Sequence, residues 1–117
     1  NDYAPHIRKI LTGKLPPQPT TEELDTIMLY FNKANIAYEQ IKTRNNRSYY
    51  PHWFYKIIEI VYNNQPRKCN AILECIHLQS RETTIQNDLI WRDLCEIIQE
   101  DIPEFVYRPT KRRRYVV

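Results

Sequence analysis

Ser80-Arg81-Glu82-Thr83-Thr84-Ile85-Gln86-Asn87-Asp88-Leu89-Ile90-Trp91-Arg92-Asp93-Leu94-Cys95-Glu96 spaces its apolar side chains as an α-helix does. Trp91, Leu94, Cys95 and Ile98 fall at i, i+3, i+4 and i+7, flanked by Ile90 and Ile97, so one broad stripe faces a core. The pattern predicts a helix over 81–100 with Ser80 as its N-cap and Trp91 as a buried anchor. Glu82, Asp88, Asp93 and Glu96 read as a solvated acidic face, with Asp88 and Arg92 paired at i, i+4. Arg81 in the first turn opposes the helix dipole, which predicts a partner for it, either Asp88 or a ligand anion.

Working outward, Ile72, Cys75 and Ile76 mark a helix over 69–79. Phe54, Ile57, Ile58 and Val61 mark another from Pro51, a residue tolerated in a first turn, which Asn63-Asn64-Gln65-Pro66 ends. Before it, Thr20 and Glu23 have the spacing of a capping box and open a helix whose face is Leu24, Ile27, Met28 and Phe31, continued by Tyr38 and Ile41. A first helix over 3–12 presents Tyr3, Ile7, Ile10 and Leu11 and ends at Gly13, where a left-handed cap is needed; Pro16, Pro17 and Pro19 make the connector extended. One glycine in 117 residues leaves few sites for tight hairpin turns. The expectation is an all-α domain of five helices over 1–100, followed by an extended basic tail over 101–117 whose Phe105, Val106 and Tyr107 dock on the body.

Charge is divided unevenly. Arg108, Lys111, Arg112, Arg113 and Arg114 follow the last acid, Glu104, and leave twelve basic against fourteen acidic residues in 1–107. The body is mildly acidic and the basic character belongs to the tail. No apolar run approaches the roughly 18 residues of a membrane span. The start at Asn1, without Met or a signal-peptide pattern, suggests a piece of a longer chain.

Cys69, Cys75 and Cys95 are odd in number and lack CxxC spacing, so they read as reduced core cysteines; a site from Cys75, His77 and Cys95 lacks an evident fourth ligand. His6, His52 and His77 lie in separate segments beside no recognisable nucleophile motif, and a single glycine builds no phosphate-cradling loop. The composition argues against an enzyme. Lys42, Arg44, Arg47, Tyr49, Tyr50, His52 and Trp53 interleave cations with rings, as a surface for phosphates and exposed bases does. The competing reading packs Tyr49, Tyr50 and Trp53 at the start of a helix and leaves the arginines in solvent. The tail cations Arg108, Lys111, Arg112, Arg113 and Arg114 suit phosphate contact, nuclear import or plain solubility.

Ser80-Arg81-Glu82, Gln86, Asp88, Ile90-Trp91 and Cys95-Glu96 resemble, without gaps, the C-terminal region of the viral late gene transcription factor three family of poxviruses and other large cytoplasmic DNA viruses, asfarviruses included. Tyr3, His6-Ile7, Leu11-Thr12-Gly13 and Pro16-Pro17 resemble a second stretch of that family, and Arg44 or Arg47, Tyr50 and Tyr55-Lys56 a third. Pro51 stands where the family has an ordinary helix residue, and the tail after Pro109 has no counterpart. The resemblance implies a helical domain, similar to the cyclin-like repeats of TFIIB by fold-level analogy only, that supports late transcription through DNA and through viral polymerase or other late factors. It implies a mainly structural role for Gly13, Pro16, Pro17, Tyr55, Lys56, Ser80, Arg81, Glu82, Asp88, Trp91 and Cys95. Zinc is expected only in an N-terminal cysteine module that this chain lacks, and the expected location is the host cytoplasm or the virion, with import less expected. The alternative is a module that binds a viral or host protein without nucleic acid.

Overall fold

A computed structural model describes residues 18–42 and 49–111. These form four helices, α1 (Thr21–Ile41), α2 (Tyr50–Val61), α3 (Pro66–Leu73) and α4 (Arg81–Ile98), and contain no strand. The helix expected over 3–12, with its Gly13 cap, lies outside the described residues, so four of the five expected helices are seen.

α1 starts where the capping box places it. The Thr20 hydroxyl accepts from the Glu23 amide at 3.1 Å, and the Glu23 carboxylate accepts from the Thr20 amide at 2.9 Å. Ile27, Phe31, Ala34 and Tyr38 then repeat at helical spacing and are buried. Phe31 joins α1 to α2, stacking on Phe54 with centroids 4.7 Å apart and meeting Tyr50 edge-on at 5.1 Å. α2 opens with Pro51 in its first turn, as expected, and without a side-chain cap. Its buried residues include Trp53, Phe54, Ile57 and Ile58, and also His52 and Lys56.

Pro66 does end the connector after α2, but it also begins α3, so that helix covers 66–73 rather than 69–79. The reason is that proline at the first helical position forfeits only an amide with no intrahelical partner. α4 has its expected Ser80 cap, which accepts from the Thr83 amide at 3.3 Å, and it buries Trp91, Leu94, Cys95 and Ile98. α1 packs on both α2 and α4, while α3 packs on α2.

After α4 the chain turns back through Ile102, whose amide reaches the Ile98 carbonyl at 2.8 Å. Residues 102–111 then run as a strap over the helices, with Phe105 fully buried between Tyr30, at 5.0 Å, and Trp91, at 5.9 Å. Tyr107 is half-buried and Val106 exposed, so the strap alternates inward and outward. A second tie binds α1, α2 and α3 together, since Glu23 Oε1 also accepts from the Tyr62 hydroxyl and the Lys68 ammonium, each at 2.8 Å. Burial alone would raise the Glu23 carboxyl, but Lys68, the Thr20 amide and Tyr62 outweigh it and hold it at about 2.

Two outcomes follow from this packing. Phe105→Ala empties an enclosed site and should cost about 3–5 kcal/mol in urea unfolding. The Glu23 carboxyl lies below its ordinary value when folded, so its contribution is complete above about pH 4.5 and fades as pH falls towards 2. Glu23→Gln should therefore flatten the acid limb of the urea midpoint against pH, and an unchanged limb would refute the tie.

Candidate nucleic-acid interface

Asp88, expected on a solvated face and paired with Arg92, is instead buried. Its Oδ1 lies 2.8 Å from His52 Nε2 in the first turn of α2 and accepts the Thr110 hydroxyl at 2.6 Å; its Oδ2 accepts the Thr110 amide at 2.9 Å. Arg92 sits beside Asp93 at 3.6 Å. Burial acts to raise the Asp88 carboxyl, but the bonds from His52 and Thr110 and the charge of Lys56 outweigh it and hold it below the ordinary range. The helical spacing misled because a tertiary partner with two donors and a buried imidazole displaces an exposed i+4 pair worth a few tenths of a kcal/mol. Glu82, Asp93 and Glu96 do face solvent. The hydroxyl of Thr110 donates to the carboxylate and not to the imidazole, so the order Thr–Asp–His differs from the hydroxyl–imidazole–carboxylate order of a nucleophilic triad.

One helical turn along α2, Lys56 is buried too. Its ammonium donates to the Arg108 carbonyl at 2.6 Å and pairs with Glu59 at 2.7 Å. The strap is thus held by its backbone at two points, an arrangement that leaves the Arg108 side chain exposed. Between strap and α2 lies a cleft of ≈ 190 Å³ lined by Lys56, Glu59, Asn63, Trp91, Glu104 and Arg108, among others.

Asp88 joins His52, three residues after Tyr49 in the first turn of α2, to Thr110, which immediately precedes Lys111 in the strap. Lys42 is exposed at the end of α1 and pairs with Glu39 at 2.8 Å. Tyr49 donates its hydroxyl to the His77 carbonyl at 3.2 Å, Tyr50 packs on Phe31 and Trp53, and Trp53 is buried. Those rings therefore follow the packing reading more than the base-stacking one. Arg108 and Lys111 are exposed; Arg44, Arg47, Arg112, Arg113 and Arg114 lie outside the described residues, as do Gly13, Pro16 and Pro17. Among the other motif residues, Trp91 and Cys95 are buried, Tyr55 packs against the core, and Arg81 is exposed, with both Asp88 oxygens engaged elsewhere.

None of the three cysteines is in a disulfide, and among the described residues no group of three or more His, Cys, Asp or Glu side chains could hold a metal ion. A zinc site does not fit the residues described. Burial pushes the Cys95 thiol up to about 12 against the pull of Lys56, and burial with Glu59 pushes Cys69 up to about 11. Among the described residues no helix is long and apolar enough to cross a membrane.

Among the described residues the class is that of an all-helical domain whose C-terminal strap is anchored on a buried carboxylate. The chain belongs to the family described as Poxvirus Late Transcription Factor VLTF3 like, whose model matches residues 1–102. It is similar to the zinc finger protein B385R of African swine fever virus, at 33% identity over 118 residues in both the Pig/Kenya/KEN-50/1950 and the Warthog/Namibia/Wart80/1980 isolates. The match covers 99% of this chain but 30% of each relative, so the chain spans under a third of their length. No solved structure matches it significantly.

Thiol accessibility checks this packing. At pH 8 an aromatic disulfide reagent should titrate one thiol rapidly, the half-exposed Cys75, and the other two only in denaturant. Rapid reaction of all three in the native protein would contradict the burial of Cys69 and Cys95.

Proposed function

We propose that this is a helical domain of a viral late gene transcription factor that contacts promoter DNA through phosphates and the transcription machinery through protein. What supports the DNA half is positive charge set outside a body in which acids outnumber bases, with Arg108 and Lys111 exposed on a strap that Asp88 holds through Thr110. Lys42, Arg44, Arg47, Arg108, Lys111, Arg112, Arg113 and Arg114 would supply the cations, with Tyr49 and Tyr50 at their edge. Phosphate contact needs concentrated positive charge more than a large apolar face, and these residues concentrate it.

The zinc named in the African swine fever virus relatives belongs, on this reading, to a part of the family protein beyond this chain. The host cytoplasm, where such viruses transcribe, is the expected place of action, and viral polymerase or other late factors are the expected protein partners. A second reading has a specific observation behind it. Leu29, Ile36, Ile85 and Leu89 are large, apolar and 40–61% exposed, which suits a module that binds a viral or host protein without nucleic acid.

Fluorescence anisotropy of the 117-residue chain with labelled duplex and single-stranded DNA at several salt concentrations separates the two. On duplex DNA log K should fall with log salt at a slope of about −0.9 per phosphate contact, and a chain ending at Thr110 should lose affinity and up to about four units of slope. Absent binding would leave the protein-interaction reading.

A further inference from the structure

We propose that Asp88 is a positioning residue: by gripping Thr110 and His52 with one carboxylate, it fixes how the strap cations Arg108 and Lys111 are presented beside the start of α2. This inference rests on the nucleic-acid reading above. Asp88 itself touches no ligand on this account, because it is 6% exposed and both its oxygens are engaged within the protein.

The strap does not need a second anchor to cover the core. Phe105 already fills the space between Tyr30 and Trp91, and the residues after it are increasingly outward, with Val106, Arg108 and Pro109 exposed. A strap whose only task was to close the core would end its contacts near Tyr107. Here the chain is gripped again at Arg108 and Thr110, where little apolar surface remains to be covered, and the grip is on the backbone carbonyl of one and the backbone amide of the other. Main-chain grips fix the path of a segment while leaving its side chains to face outward. Arg108 and Lys111 are the exposed cations on either side of the clamp.

His52 gives the clamp its second arm. It sits in the first turn of α2, three residues after Tyr49, and it shares Oδ1 with the Thr110 hydroxyl. The start of α2 and the end of the strap, more than 50 residues apart in sequence, are thereby referred to one atom. Cations held in a fixed relation to a phosphate lattice lose less conformational freedom on binding than cations on a loose tail.

The test uses the whole chain. Thr110→Pro removes both donors to Asp88 and leaves every charge in place, and Thr110→Ser restores both. Thr110→Pro should weaken duplex DNA binding by about tenfold at fixed salt with the salt slope unchanged, because phosphate contacts are kept and only their preorganisation is lost. Thr110→Ser should bind as wild type, and amide hydrogen exchange over 106–111 should accelerate in the proline variant alone. If Thr110→Pro melts below wild type, Thr110→Val, which keeps the backbone donor, carries the test with a loss of about threefold. Equal affinity of wild type and proline variant, or a slope that drops with the affinity, overturns the positioning role. Silence of the wild type towards DNA overturns the nucleic-acid reading, and this inference with it.

Discussion

A carboxylate taken out of water is tolerated only where its oxygens find donors, and Asp88 finds three. That requirement links parts of the chain that apolar packing alone would leave independent. α4 supplies the carboxylate, α2 the imidazole and the strap a hydroxyl and an amide, so the buried charge is satisfied only when all three are in place. An apolar residue at this position would pack against several alternative registers of the strap. A carboxylate with directional bonds accepts one. Among the described residues His52 Nδ1 has no hydrogen-bond partner, which is the remaining cost of the arrangement.

Lys56 extends the same logic by one helical turn. Its stem packs in the core while its head meets Glu59 and the Arg108 carbonyl, so α2 carries a cation and an imidazole on the face that the strap crosses. The fold is therefore held in two ways. Aromatic contacts around Phe31, Phe54 and Trp53 join α1 to α2 without fixing any long segment outside the helices. Charge-assisted bonds at Glu23 and Asp88 fix the joints, one between α1, α2 and α3, the other between α2, α4 and the strap.

How legible each part was in sequence follows from the range of the interaction that makes it. The Thr20–Glu23 capping box, the Ser80 cap and the stripe Trp91, Leu94, Cys95, Ile98 depend on residues within two turns, and local spacing reads them correctly. The second role of Glu23, which reaches Tyr62 and Lys68 roughly 40 residues on, has no local signature. Asp88 was misread for the same reason: its i+4 neighbour Arg92 is visible in the sequence, while His52 and Thr110, 36 and 22 residues away, are not. The resemblance to a known family pointed at Asp88 and Lys56 without saying what they hold. Residues 3–12 and the cations Arg44, Arg47, Arg112, Arg113 and Arg114 lie outside the described residues, so that part of the reading rests on sequence.

The uses to which the aromatic residues are put constrain any nucleic-acid contact. Trp53 is enclosed, Tyr50 leans on Phe31 and Trp53, and Tyr49 is tethered to His77, so few ring faces at this edge are open for unstacked bases. Base stacking on such rings contributes about 1–3 kcal/mol per base in single-strand binders. What the described strap leaves exposed are the cations Arg108 and Lys111, and phosphate contacts made by such groups carry no sequence information of their own. On the proposed function, then, this domain would contribute affinity and orientation on duplex DNA, and the choice of promoter would fall to protein partners or to the larger portion of the family protein that this chain does not span.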